Sequence, residues 1–173
     1  MLDIYVLGSN SIKIRTKRVS FVVDPVDSIS KTNADAVLVL RKETVDLARV
    51  SNYRVVLRGE GEYEIENVKI SGIAAGEGFV YSIFADNMEI VLGRVSTLLR
   101  IQDKSLLCQV ALLNVDNELK SIIANLEPRA VILYGEKRIE GAKELGKDWV
   151  KPVSKVTVTK EKLEKEIEVE VLG

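Results

Sequence analysis

Apolar residues in this chain come in short bursts broken by glycine or polar turns, a rhythm of strands more than of long helices. Leu2 to Leu7, Ile12 to Arg15 and Val19 to Val23 read as three successive strands, with turns at Gly8 to Asn10 and Thr16 to Arg18. Asp24-Pro25 stops the third, because proline cannot donate to a ladder. Ala36 to Leu40 is a solid apolar run and predicts a strand buried on both faces. Glu43 to Val50 predicts a short helix, followed by a strand at Arg54 to Leu57. Two hairpins follow. Tyr63 to Ile65 and Val68 to Ile70 flank Glu66-Asn67, and Phe79 to Phe84 and Met88 to Leu92 flank Asp86-Asn87, both plausible two-residue turns. Val110 to Val115 is apolar again.

The last third changes period. Asn117 to Asn125 predicts a helix with Leu119, Ile122, Ile123 and Leu126 on one face. Val131 to Tyr134 predicts a buried strand, and Ile139 to Leu145 a short helix ended by Gly146. Val153 to Val158 and Ile167 to Leu172 alternate as strands, and Lys160 to Glu166 reads as a solvated turn or a single helical turn between them. Strands first, then strands mixed with helices, point to two sheets packed face to face with helices outside. No internal repeat or low-complexity linker divides the chain, so residues 1–173 are expected to form one domain.

Composition narrows the function classes. The chain has 173 residues with 25 basic and 26 acidic side chains, a net charge of −1. That balance, with 5% aromatics, gives no electrostatic case for nucleic acid. No apolar run approaches the ~18 residues a membrane-spanning helix needs, and the MLDIYVLGSN start reads as a strand rather than a signal peptide. The lone Cys108 can form no internal disulfide, and a reduced, cytoplasmic setting fits best. Most consequential is that the chain contains no histidine. Imidazole is the usual zinc ligand and the usual base of nucleophilic enzymes. Without it, Cys108 reads as an inert core thiol, and neither Ser9 nor Ser11 has an activating partner.

Several local strings resemble the metallo-β-lactamase fold family, especially its small bacterial members similar to sugar-lactone hydrolases. Leu7-Gly8-Ser9-Asn10-Ser11 followed by Val22-Val23-Asp24-Pro25 resembles the family's strand, Gly-His-Ser, strand, Asp-Pro opening. Ala34 to Val39 resembles the strand leading into its metal motif. Gly59-Glu60-Gly61-Glu62-Tyr63-Glu64-Ile65 with Val68-Lys69-Ile70 resembles its gly-glu-tyr-glu hairpin. Val91-Leu92-Gly93 resembles the strand before its bridging aspartate, and Leu126 to Ile132 the approach to its last histidine. The resemblance implies an α/β, two-sheet αββα sandwich with mixed, mostly antiparallel sheets.

It also implies where metal ligands should stand. The family's H-x-H-x-D-H signature falls on Arg41, Glu43, Val45 and Asp46. The third-motif histidine falls near Gly76 or Glu77, the bridging aspartate on Arg94, the last histidine on about Gly135, and the opening histidine on Ser9. No ligand keeps its type, and two positions carry arginine, a permanent cation that repels a divalent metal. The expectation is therefore a fold without its metals, no cofactor, and a binding, scaffold or regulatory role. The partner would be an unknown protein or a second copy of the chain, with neither membrane nor nucleic acid. Arg41 and Arg94 are expected to pair with Glu43, Asp46 and Glu77. A Mg²⁺ or Ca²⁺ site on those carboxylates, and a small anion held by the two arginines, are the alternatives. The enzymatic alternative is a zinc-independent hydrolase using Glu43, Asp46 or Glu77 as base on a small ester, lactone or phosphoester. Gly59-Glu60-Gly61 reads as a β-turn rather than a phosphate loop, and Trp149 as cover for the core edge or an interface anchor.

Overall fold

The computed structural model describes residues 1–43, 45–164 and 167–173. Its strands run in chain order as β1 (Leu2–Gly8), β2 (Ser11–Arg15), β3 (Ser20–Val23), β4 (Thr32–Asn33), β5 (Ala36–Leu38), β6 (Val50–Ser51), β7 (Val55–Leu57), β8 (Gly61–Ile65), β9 (Val68–Ala75), β10 (Gly78–Ala85), β11 (Met88–Arg94), β12 (Val110–Asn114), β13 (Ala130–Tyr134), β14 (Lys155–Val158) and β15 (Glu168–Val171). The helices are α1 (Val95–Leu98), α2 (Lys120–Leu126) and α3 (Arg138–Glu144). One sheet has the order β14-β1-β2-β3-β5-β7, and the other β15-β13-β12-β11-β10-β9-β8.

Each sheet has an antiparallel half and a parallel half. Hairpins β1-β2 and β2-β3 give way to parallel β3-β5 and β5-β7 in the first. Hairpins β8-β9, β9-β10 and β10-β11 give way to parallel β11-β12, β12-β13 and β13-β15 in the second. The hairpin turns follow from their residues. Glu66, Asn67, Asp86 and Asn87 all have positive φ, between 50° and 65°. Two consecutive left-handed residues match the right-handed twist of the flanking strands.

The main core lies between the sheets. Leu2, Ile4, Ile12, Phe21 and Leu38 from one sheet meet Ile70, Tyr81, Ile83, Ile90 and Leu112 from the other, all essentially inaccessible to water. A second apolar layer covers the outer face of the larger sheet. There Val95 and Leu98 of α1, Ile122 and Leu126 of α2 and Ala142 of α3 pack on Val91, Leu113 and Val131. The outer face of the smaller sheet is covered differently. Val22, Val37 and Val39 lie under Ala34, Leu47, Val50 and Tyr53.

The helix expected over Glu43 to Val50 is reduced to a single 3₁₀ turn at Leu47–Arg49, Thr44 lying outside the described residues. The Asp46 side chain caps that turn by accepting from Ala48 N, and Val50 then leaves it to pair with Thr32. Apolar spacing at Val45, Leu47 and Val50 suits a helix, but the cap and the β4-β6 pairing prevail. Among the described residues, the α-helices therefore all pack on one sheet. Of the expected turn at Lys160 to Glu166, Lys162–Glu164 is a 3₁₀ turn; Lys165 and Glu166 lie outside the described residues. The helix expected from Asn117 begins at Lys120. The strand expected from Val153 begins at Lys155, Val153 making only an isolated bridge to Leu172.

Tyr81 ties the sheets together. Its buried hydroxyl lies 3.0 Å from Val39 O and 2.9 Å from Leu57 O, sharing one proton between two carbonyls of the opposite sheet. Burial raises its pKa, so the proton stays. Tyr81→Phe is expected to lower stability by about 1–2 kcal/mol, since the carbonyls lose their buried donor while packing is unchanged. Urea denaturation checks this, and an unshifted midpoint would show that the bond contributes nothing.

Candidate functional site

The carboxyl ends of the parallel strands form one edge of the sandwich, where open α/β sheets characteristically place ligands. In the larger sheet, Arg94, Asn114 and Tyr134 end β11, β12 and β13 in a single register row, Arg94 opposite Asn114 and Asn114 opposite Tyr134. In the smaller sheet, Asp24 follows β3, and Arg41 lies beyond β5. The two sides are stitched by an antiparallel bridge between Arg41 and Gly78, with Phe79 N donating to Leu40 O at 2.9 Å. Asn10, in the β1-β2 turn, accepts from Asn114 Nδ2 at 3.1 Å. A cleft of about 190 Å³ is lined by Asn10, Arg41, Arg94, Asn114, Asp116 and Lys137, among others. A smaller pocket of about 80 Å³ shares Asn10 and Arg41 with it and adds Asp24, Val26, Glu43 and Val45.

The arginines are held at their outer ends. Arg94 Nη2 lies 2.9 Å from Asp116 Oδ2, and each side chain is only about a quarter exposed (24% and 20%). Asp116 is itself fixed by Ser96, which donates from its backbone N at 2.8 Å and from its hydroxyl at 2.5 Å. Asp116 thus caps the start of α1 and orients Arg94 together. Arg41 Nη1 meets the exposed Glu43 Oε2 at 3.4 Å, a longer and weaker pair. Deeper in, Arg41 Nε, Arg94 Nε, Tyr134 Oη and Asp24 Oδ2 are all buried without a hydrogen-bond partner among the described residues.

Asp24 is the most perturbed carboxyl at this edge. It is 5% exposed, sits in the left-handed conformation at φ 44° ahead of Pro25, and accepts from Leu40 N at 2.8 Å through Oδ1. Its backbone carbonyl accepts from the buried Ser11 hydroxyl at 2.6 Å. Burial pushes its pKa up to about 6, although the Leu40 N–H and the charges of Arg41 and Arg94 pull the other way.

The structure brings only some of the residues named from the sequence together. Arg41, Glu43 and Val45 line the smaller pocket, and Arg41 and Arg94 line the cleft. Asp46 faces a neighbouring hollow with Val26, Asp27 and Val45, and pairs with Arg49 at 3.4 Å. Ser9 is exposed at the β1-β2 turn, and Glu77 is exposed in the β9-β10 turn, its backbone carbonyl accepting from Lys42 N at 3.1 Å. The expected pairing of the two arginines with Glu43, Asp46 and Glu77 is therefore corrected. Arg41 does meet Glu43, but Arg94 takes Asp116, and Asp46 takes Arg49. Gly135 is buried behind Asn114 at φ 96°, and a Cβ there would stand 2.6 Å from Asn114 Oδ1. Asn10, Asp24, Asn114, Asp116 and Tyr134 were not singled out from the sequence. Their one signal is position, polar groups at the ends of solid apolar runs.

Other expectations resolve elsewhere. Cys108 is half-buried, and burial pushes its thiol up to about 12, which makes it a poor nucleophile. Trp149 is 98% exposed and covers no core edge. Among the described residues, no helix is long and apolar enough to cross a membrane.

Comparison with solved structures identifies the architecture as the metallo-β-lactamase fold. A candidate Zn-dependent hydrolase of the metallo-beta-lactamase superfamily from Thermotoga maritima superposes with a TM-score of 0.73 at 18% identity, covering 100% of both chains. A candidate metal-dependent hydrolase from Parabacteroides distasonis gives 0.63 at 16% identity, over 99% of this chain and 92% of its own. Igni18, a metallo hydrolase from Ignicoccus hospitalis, gives 0.60 at 11% identity, over 91% and 99%. No protein-family model and no curated protein matches the sequence. The residues at this edge do not fit a metal centre of the kind those names imply. The chain has no histidine, and no group of three or more Cys, Asp or Glu side chains suited to a metal occurs among the described residues. Two guanidinium groups line the cleft instead.

Proposed function

We propose that this protein uses the metallo-β-lactamase fold without the metal-dependent hydrolysis associated with it, as a binding or regulatory protein acting through the edge cleft. The observation that carries this reading is the pair of arginines, Arg41 and Arg94, lining the cleft with carboxylate partners of their own. Guanidinium remains charged at any physiological pH and cannot ligate a metal, so these side chains oppose divalent cations there. A protein partner, or a second copy of the chain, is supported by Trp149, whose exposed ring is the side-chain type that anchors interfaces.

Metal analysis tests the proposal. Purified full-length protein, incubated with Zn²⁺, Mn²⁺ or Mg²⁺ and dialysed, is expected to retain far less than one equivalent of each. Stoichiometric retention, abolished by substitutions lining the cleft, would sink the reading.

A second reading, zinc-independent hydrolysis of a small ester, lactone or phosphoester, draws its support from Asp24 rather than from Glu43, Asp46 or Glu77. A buried carboxyl with a pKa raised to about 6, and one oxygen without a partner among the described residues, has the character of a general base. Turnover of such substrates that disappears in Asp24→Asn would favour it over a binding role.

A further inference from the structure

The donors and acceptors left over at the edge cleft are complementary to a specific kind of small anion. Each guanidinium has five N–H donors. Arg94 directs one nitrogen to Asp116 and Arg41 one to Glu43, and neither Nε has a protein acceptor among the described residues. Asn10, Asn114 and Lys137 add donors to the same cleft walls, which also carry the carboxylates of Asp116, engaged by Arg94 and Ser96, and Glu136. Charge-assisted bonds from a planar guanidinium suit oxyanions, and two of them facing one cleft suit a tetrahedral oxyanion better than a flat one. Against this stands Asp24, nine-tenths and more buried, which lines the adjoining pocket that shares Asn10 and Arg41 and whose Oδ2 is buried with no partner among the described residues. A carboxylate repels a fully ionised anion and accepts a hydrogen bond from one that carries a proton. Hydrogenphosphate meets both requirements.

We propose that the cleft binds hydrogenphosphate, with Arg41 and Arg94 receiving its anionic oxygens and Asp24 Oδ2 accepting its remaining proton. This rests on the reading of the edge as a metal-free binding site. The roughly 190 Å³ cleft and the 80 Å³ pocket beside it give ample room for an ion of this size. The same logic makes the site selective. Sulfate has the same shape but no proton at neutral pH, so it would leave Asp24 facing an anionic oxygen with no hydrogen between them. A phosphomonoester loses its last proton near pH 6 and resembles sulfate above that.

Titration calorimetry of the full-length protein at about pH 8 with inorganic phosphate, sulfate and a simple phosphomonoester tests this. Asp24 is then ionised and phosphate still carries one proton. Wild type is expected to bind phosphate saturably and sulfate and the monoester at least about tenfold more weakly, the cost of one unmade buried bond. Asp24→Asn replaces the acceptor with a donor and is expected to bring sulfate to within about threefold of phosphate. Arg94→Lys keeps the charge but loses the guanidinium fork, and is expected to weaken phosphate about tenfold. Far-ultraviolet circular dichroism and urea midpoints confirm that each variant is folded, and Asn10→Ala, a change in a turn, gives an independent weakening should Arg94→Lys not fold. Absence of saturable phosphate binding, or equal binding of sulfate by wild type, overturns the proposal. The metal analysis separates the two levels of inference: retention of metal removes the underlying reading, whereas a metal-free protein that ignores phosphate removes only the ligand.

Discussion

Asp24→Asn is expected to raise stability at neutral pH and to flatten its dependence on pH between about 4 and 6. The carboxyl of Asp24 titrates near 6 in the folded protein against 3.8 for the ordinary group, chiefly because it is buried. The folded state therefore holds a proton that the unfolded chain has already released in that window. Where the native state binds more protons, stability falls as pH rises. About two units at roughly 1.4 kcal/mol each makes the loss about 3 kcal/mol, complete above the folded pKa and absent below the unfolded one. An amide cannot ionise, and its oxygen can still accept from Leu40 N. Groups such as Asp35, whose pKa is lowered by hydrogen bonds from Ser20, lose their contribution as pH falls and act in both proteins alike. The informative quantity is thus the difference between wild type and variant. Urea midpoints at about pH 4.5 and pH 7.5 should diverge, and parallel pH curves would rule out the burial of an ionisable Asp24.

The second large effect is expected at Gly72. It sits on β9 opposite Gly61, and a Cβ added there would stand 2.3 Å from Gly59 O and 3.1 Å from the Tyr81 ring. The obstacle is backbone, which cannot swing aside as a long side chain can. Gly59 and Gly61 also have φ values of 149° and 136°, a backbone path that glycine adopts readily and that brings Gly59 O against Gly72. Gly72→Ala should cost about 3 kcal/mol or more, at the upper end for overpacking, and lower the melting temperature by roughly 10 °C. The Tyr81 bonds to Val39 and Leu57 are next to the clash and should weaken with it. A variant that melts with wild type would mean the β7-β8 connection relaxes freely. This packing also gives Gly59-Glu60-Gly61 its physical meaning, a close passage of backbone and not a cradle for phosphate.

The hairpins at Glu66-Asn67 and Asp86-Asn87 were legible because turn chemistry is local. Two residues that tolerate positive φ, between runs of alternating side chains, leave little else for the chain to do. The helix expected at Glu43 to Val50 failed because its outcome depends on Thr32 and Asn33, which compete for Val50 and Ser51 from a distance no periodicity reports. Short α1 was missed for a related reason. Val95 to Leu98 follows a strand without a break, and the cap at Ser96 comes from Asp116, twenty residues on. At the site, Arg41, Arg94 and Gly135 were found because they stand where a resembling family keeps its ligands. Asp24 is legible in the sequence as a strand terminator and as part of the Asp-Pro string of the resemblance, not as a site residue. Its second role required knowing that β3 ends beside β5, facing the register row of Arg94, Asn114 and Tyr134.

The backbone at Gly135 limits what could be built at this edge. A histidine placed there would start with its Cβ pressed on Asn114 and its φ in a region that L residues rarely adopt. Metal-binding side chains placed elsewhere in the cleft would stand beside Arg41 and Arg94, whose charge repels a divalent cation. Building a metal centre at this edge therefore meets two obstacles, backbone strain at position 135 and the charge of the two arginines. Engineering one would have to begin by remodelling the loop after β13, before any ligand is exchanged.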